Sequence, residues 1–402
     1  MVIWMVWAFE GMAMVRLSRA EQQERNRAAV LAAARDEFAE RGYADAKVDR
    51  IAARAELTRG AVYSNFPSKR ALYLAVLLDS LPRRAPAHHS PGLADALGAF
   101  ARGWLERLPL TGDTPAGGHL RSWSLTGVFD DEPGRGALAQ VARLEALLLG
   151  RALESCAPAA ARRVRLAELV LTLLGGAGHL AETAPGFGDP FDVIRACEHL
   201  AGLDLADAWD PPHLPFVQPA QRVREEWVPP GELLDLLTGQ ATGFAGDGVI
   251  AVLGTARLGA AEEAVRAAAQ VPGPVELEVP GAGLVPAVAE PARGVPVAEM
   301  GAALHTGTRR QQVTVVVVTS DRAELGRLVR LRLGDLAGCL LPVFGPPGVR
   351  VVLDDGAVAA AAGVRDADDT EAALRVRDGE IVARASGRGA AHAVGASARS
   401  DR

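Results

Sequence analysis

Lysine is almost missing from this chain. Only Lys47 and Lys69 occur among 402 residues, and arginine carries the positive charge everywhere else. The richness in Ala, Arg, Gly and Pro fits a GC-rich genome, under which a surviving lysine is either coincidence or retention for a role. Cysteine is nearly as scarce: Cys156, Cys197 and Cys339 are scattered and form no C-x-x-C pair. Such thiols fit a reducing cytosol better than a disulfide framework, each read as a lone buried side chain. There is no P-loop, no strand-linked G-x-G-x-x-G and no H-E-x-x-H, so no cofactor and no metal is expected. His88 and His89 read as a solvated pair in a Pro-rich loop. The opening "MVIWMVWAFEGMAM" is apolar but shorter than the about 20 residues of a spanning helix, and it lacks the basic leader of a signal peptide. It reads as an upstream-start extension, with translation beginning at Met12 or Met14, or as an extra surface turn. No other stretch reads as long and apolar enough to span, so a soluble, cytoplasmic protein without membrane contact is expected.

What is present is a chain with 49% hydrophobic residues and a net charge of −6, long enough for two or three domains. The charge is divided unevenly. Residues 15–84 hold 14 Arg or Lys against 9 Asp or Glu, a balance of +5, which leaves −11 for the rest. A basic module on an acidic body is the arrangement expected when one segment meets a polyanion.

Periodicity and punctuation divide the chain into an N-terminal extension (1–15), a short-helix module (16–84), a helical region (88–205), a Pro-rich linker (206–231), an α/β region (232–390) and a disordered tail (391–402). In the module, Ser18 with Glu21 forms a capping box, Val30, Ala34 and Phe38 recur at i, i+4 and i+8, and Gly42 stands at a C′ position. Thr58 and Ser68 are caps of two further helices. Short helices separated by a tight turn describe a helix-turn-helix unit. Ala52 is the small residue at the crossing, and Val48, Ile51, Ala55, Leu57, Val62 and Phe66 lock the angle. Thr58, Arg59, Gly60, Ala61, Tyr63, Ser64 and Asn65 remain on the exposed face. Arg59 can donate to guanine O6 and N7, and Ala61 can touch a thymine methyl. Gly60 lets the backbone approach DNA closely, while Tyr63, Asn65 and Lys69 suit phosphate oxygens.

"VDRIAARAELTRGAVYSNFPSKRALYLAV" resembles the DNA-binding signature of the TetR family of transcriptional repressors, over roughly residues 18–81. The family's residues correspond here to Ile51, Ala52, Thr58, Gly60, Tyr63, Phe66, Lys69 and Leu72. Two positions depart from the pattern. Ala46-Lys47 stands where the family has Ser or Thr, which moves the second helix's cap to Asp45 and puts Lys47 at the DNA. Glu56 replaces the turn glycine, at a cost of roughly 1 kcal/mol if left-handed. The resemblance implies a double-stranded DNA operator, a homodimer formed through helices at about 160–183 and 190–203, and a small-molecule effector held in the helical region. Trp104, His119, Trp123 and Phe129 are candidates for its pocket, with core packing as the alternative for each. Gly175-Gly176 marks a kink, a close crossing or room for a ligand.

In the last region, "GVIAVLG", "QQVTVVVVTSD" and "GVRVVLDD" read as strands alternating with helices, and "AALRVRDGEIVARASG" as a hairpin turning at Asp-Gly. This resembles the thioredoxin and peroxiredoxin fold over about 248–387, but "GTARLGAAEE" follows the first strand without a thiol, and Cys339 reads as core. The expectation is therefore multidomain: an all-α region of TetR type followed by a non-catalytic, thioredoxin-like α/β domain, acting together as a DNA-binding regulator and not as an enzyme. Two rival readings are an interaction adaptor with a degenerate DNA head and a redox enzyme fused to a regulator.

Overall fold

The computed structural model describes residues 18–81, 92–108, 125, 127–156, 162–205, 207, 217–269 and 312–397. The chain begins with four helices, α1 (Arg19–Asp45), α2 (Val48–Arg54), α3 (Arg59–Asn65) and α4 (Lys69–Asp79). Ser18 and Glu21 form the capping box, and Val30, Ala34 and Phe38 are buried as their spacing predicts. Gly42, at φ 68°, kinks α1 where the C′ residue is expected.

The cap of α2 is a correction. Its N-cap is Lys47, with no side-chain cap, not Asp45. The buried Glu37 carboxylate accepts the Lys47 amide at 3.2 Å instead. Arg41, Arg50 and Arg54, at 3.5–3.6 Å, compensate that buried charge from the solvent side. Thr58 caps α3 through the Ala61 amide at 3.2 Å, and Ser68 caps α4 through the Ala71 amide at 2.9 Å.

A second group follows: α5 (Leu93–Leu105), α6 (Glu132–Cys156), α7 (Val164–Thr183) and α8 (Pro190–Leu200). α7 runs unbroken through Gly175 and Gly176, and a Cβ on either would meet nothing within 4 Å. Neither a kink nor a close crossing within the described chain explains them. α7 also corrects the expectation about spanning segments. It is long and apolar enough to cross a membrane, with mean hydropathy 1.3 over a window of which 33% is buried. It nevertheless carries Arg165, Glu168 and Glu182 and packs Leu166, Ala167, Val170 and Leu174 into the core.

The remaining elements are β1 (Gln221–Glu226), β2 (Leu233–Leu234), β3 (Ala241–Thr242), β4 (Gly248–Gly254), α9 (Ala261–Ala269), β5 (Gln312–Val318), α10 (Leu325–Phe344), β6 (Val349–Leu353), α11 (Ala357–Ala362), β7 (Glu371–Arg377), β8 (Glu380–Ser386) and α12 (Ala390–Ser397). A mixed six-stranded sheet has the order β1-β8-β7-β4-β5-β6, with β4, β5 and β6 parallel and the other neighbours antiparallel. Asp378 and Gly379 turn the β7–β8 hairpin with φ of 51° and 76°, as their sequence predicts. Two boundaries move. β1 lies inside the stretch read as linker, because its amides and carbonyls complete the ladder of β8. α12 lies in the stretch read as tail, because Ala391 and Val394 bury against the sheet.

Alternation along the strands gives the sheet two apolar faces. Ile250, Val252, Val316, Val318 and Val352 meet α11, Trp227 and Phe244. Val249, Ala251, Leu253, Val315 and Val317 meet α9, α10 and α12, and this core runs on without interruption into α5, α6, α7 and α8. The α/β region is therefore fused to the helical region, with α10 between them.

Candidate nucleic-acid interface and helical groove

The interface is built from α3 outward. Val62 and the following Phe66 are buried against Ile51, Ala52, Val30 and Phe38, so the opposite side of α3 is left to solvent. Thr58, Arg59, Gly60, Tyr63 and Ser64 are exposed there, with Ala61 and Asn65 half-buried. A Cβ on Gly60 would meet only the Thr58 hydroxyl, at 3.8 Å. No contact within the described residues requires that glycine.

The side chains are already engaged. Arg59 Nη1 lies 3.1 Å from Asp49 Oδ1, and its guanidinium stands 5.5 Å over the Tyr63 ring. Both members of the ion pair are exposed, so it is weak and can be exchanged for another acceptor. Asn65 Nδ2 donates to the Ala61 carbonyl at 2.9 Å. Lys69 Nζ donates to the Ala44 carbonyl at 3.1 Å and sits 4.8 Å over the Tyr43 ring, and its partial burial lowers its pKa. Lys47 is exposed at the N-terminus of α2. Glu56 takes the left-handed turn conformation with φ 55°, as expected where a glycine is replaced.

The profile of the bacterial regulatory proteins, tetR family, matches residues 30–76. This segment is a TetR-family N-terminal domain. The match covers α2, α3 and most of α1 and α4. No curated protein matches the chain. Among solved structures, a TetR transcriptional regulator from Rhodococcus sp. RHA1 is 20% identical with a TM-score of 0.28, over 47% of this chain and 99% of that one. A protein from Mesorhizobium loti MAFF303099 assigned to the TetR-family regulators is 16% identical with a TM-score of 0.24, over 46% and 96%. At such scores neither neighbour bears on function.

Behind the TetR domain, a groove of about 570 Å³ runs along α7. Leu171, Thr172, Gly175, Gly178 and His179 form one wall, with Trp104, Ala142 and Ala146 opposite. Of the four pocket candidates only Trp104 is placed here. Phe129 is corrected: it is buried under the TetR domain with the Arg70 guanidinium 4.9 Å from its ring. His119, Trp123 and the His88-His89 pair lie outside the described residues.

The groove also holds charges that sequence reasoning missed. Arg332 on α10 donates through Nε and Nη2 to Glu145 on α6, at 3.0 and 2.7 Å. Glu145 is only 2% exposed, and burial raises its pKa while Arg332 opposes the rise.

At the carboxyl ends of β4 and β5, Asp368 accepts hydrogen bonds from Thr255, Thr319 and Ser320, the two threonines at 2.7 Å. Thr255 directly follows β4. Burial raises the pKa of Cys339 to about 12 and that of Cys197 to about 11, which suppresses the thiolate needed for nucleophilic chemistry.

Proposed function

We propose that the chain is a dimeric, ligand-responsive transcriptional repressor that binds a near-palindromic operator and releases it when a small molecule occupies the α7 groove. The observation that carries this reading is the solvent face of α3 within the TetR domain, with Arg59, Gly60 and Tyr63 outward and Val62 inward. With α3 in the major groove, Arg59 exchanges Asp49 for guanine O6 and N7, and Ala61 meets a thymine methyl. Tyr63, Lys47 and Lys69 then hold phosphates, and Asn65 adds a contact once it leaves the Ala61 carbonyl.

The dimer is supported by the outward side of α7 and its surroundings. Leu169 and Leu180 are 37% and 38% exposed, and Phe187 and Phe191 are 71% and 74% exposed. Gly176 on the same side has open space in front of it. Pairing two copies through this face, together with α8, would cover the apolar surface and set two recognition helices roughly 34 Å apart. An effector then acts by changing that spacing, and operator binding must weaken effector binding by the same factor.

The α/β region is read as thioredoxin-like without its chemistry. Parallel β4 and β5 joined through α9, with the β7–β8 hairpin beside β4 and a closing α12, support this reading, while Thr255 and the suppressed thiols argue against turnover.

The test is a titration of the purified protein against the DNA flanking its own gene and against scrambled DNA, at two salt concentrations. A salt-dependent preference of at least about a thousandfold for one near-palindrome is expected. Equal weak binding to both would overturn the regulator reading in favour of an interaction adaptor.

A further inference from the structure

Helix α10 belongs to the α/β region by sequence, yet one of its sides is buried in the DNA-binding domain. Leu325, Leu328 and Leu331 share a core with Leu72, Val76 and Phe129. Glu324, just before α10, accepts from Ser68, the cap of α4, and from Arg70 in its first turn. Arg70 in turn pairs with Asp131, next to α6. Arg327 stands 5.7 Å over the ring of Phe66, the residue that ends the recognition helix. The spacing is close: a Cβ on Gly334 would lie 2.8 Å from Leu81 Cδ1, and one on Gly338 would strike the Arg107 guanidinium. Arg107 itself donates to Asp335 at 2.7 Å. The other side of α10, with Val329, Leu333, Leu336 and Leu340, is packed into the sheet-and-bundle core.

We propose that α10 positions the DNA-binding head, through Glu324 and the Leu325, Leu328, Leu331 stripe, and that it carries groove occupancy to the head because its Arg332 lines the groove. The first half stands on the contacts just given. The second rests on the proposed function, since it takes the groove to be the effector site. A rigid helix with its first turns on α4 and its middle on Glu145 has no independent motion at the two places. A ligand that competes for Arg332 or Glu145 therefore shifts the helix, and the helix shifts α4 and the recognition helix with it. The α/β region is then part of the regulatory apparatus, and Glu324 and Arg332 are positioning residues.

Hydrogen exchange on the full-length chain tests this without knowledge of the ligand. Leu328→Ala should lower the protection of α4 amides by about tenfold, within the roughly 5–150-fold range of allosteric couplings, while β4 and β5 keep theirs. If Leu328→Ala does not fold, Glu324→Gln, which keeps the shape and removes the charge pair with Arg70, should act in the same direction. The groove arm uses the double variant Glu145→Gln/Arg332→Gln. It should also change α4 protection, although both residues line the groove. Unchanged α4 protection in the head-side variants overturns the positioning role, and unchanged protection in the double variant overturns the transmission. The separate DNA titration judges the regulator reading, because a chain that selects no DNA fails that reading whatever the exchange results.

Discussion

Glu56 is the residue on which the geometry of the TetR domain makes its sharpest demand. It sits in the turn between α2 and α3 at φ 55°, a region that costs an L-residue about 1–2 kcal/mol. Its side chain is exposed and makes no hydrogen bond or ion pair among the described residues. Glu56→Gly removes the strain and returns about 0.4–1 kcal/mol of it as added entropy of the unfolded chain. The net expectation is a head more stable by about 0.5–1 kcal/mol. The amides of Val62 and Phe66, bonded to the Thr58 and Val62 carbonyls at 3.2 and 3.0 Å, report it directly. Their exchange should slow by about two- to fivefold if they open with the head. Glu56→Ala is the decisive control. Alanine keeps the strain and loses the charge, so it should leave exchange unchanged. Under the proposed DNA-bound arrangement both variants should strengthen binding to every DNA sequence alike, because each removes a negative charge near the phosphates. Equal stabilisation by Ala and Gly would refute the conformational argument.

Arg59→Ala should weaken binding to the selected operator by about 5- to 150-fold and flatten base preference at one position, measured by competition between operator variants. Unchanged preference would mean that α3 reads DNA through other residues. Lys69→Ala should weaken all sequences to a similar degree and reduce the slope of log affinity against log salt by about one. A loss confined to one sequence would rule out a phosphate role. Burial, with Glu371 and Glu262 adding to it and Arg257 opposing, raises the Glu263 pKa to about 7 from 4.5. Its contribution to stability is thus complete below pH 4.5 and lost as pH rises through 7. Glu263→Gln should therefore raise the denaturation midpoint at pH 8 and gain nothing at pH 4, as urea titrations at the two values would reveal.

The head was legible in sequence because its rules are local. Capping residues sit a fixed three positions from their amides, and Val62 and Phe66 lie one helical turn apart on the buried side, so a one-dimensional pattern contains the geometry. Even the strain at Glu56 could be read, since a glycine position filled by another residue announces its conformation. The cap of α2 could not be. Glu37 reaches Lys47 from another helix, and a hydrogen bond spanning ten residues leaves no periodic trace. The same applies to β1, whose alternation is too polar to announce a strand and whose partner, β8, lies about 160 residues further on. Phe129 and Trp104 carried the same signal, an aromatic in an apolar helical region, and only the packing sends one to the head and the other to the groove. Glu145 and Arg332 stand 187 residues apart, each among several charged residues of its own helix. Nothing local singles out which of those charges is buried or pairs the two across the sequence.

The position of α10 joins the α/β region to the TetR domain. An appended domain on a Pro-rich linker would be expected to move independently, and domain interfaces within one chain are ordinarily modest and polar. Here the joint is apolar and continuous, for one core runs from Leu97 and Leu144 through Leu333 and Leu340 to Val315 in the central strand. Packed interiors transmit displacement because they have no voids to absorb it. The ion pairs Glu145–Arg332 and Arg107–Asp335 cross the same joint, where removal of either partner leaves a poorly solvated charge. Each pair fixes α10 by a directed contact, to α6 through Glu145 and to the residues just after α5 through Arg107. If α10 positions the head as proposed, the α/β region has a structural reason to be present, since it supplies the helix that packs on α4.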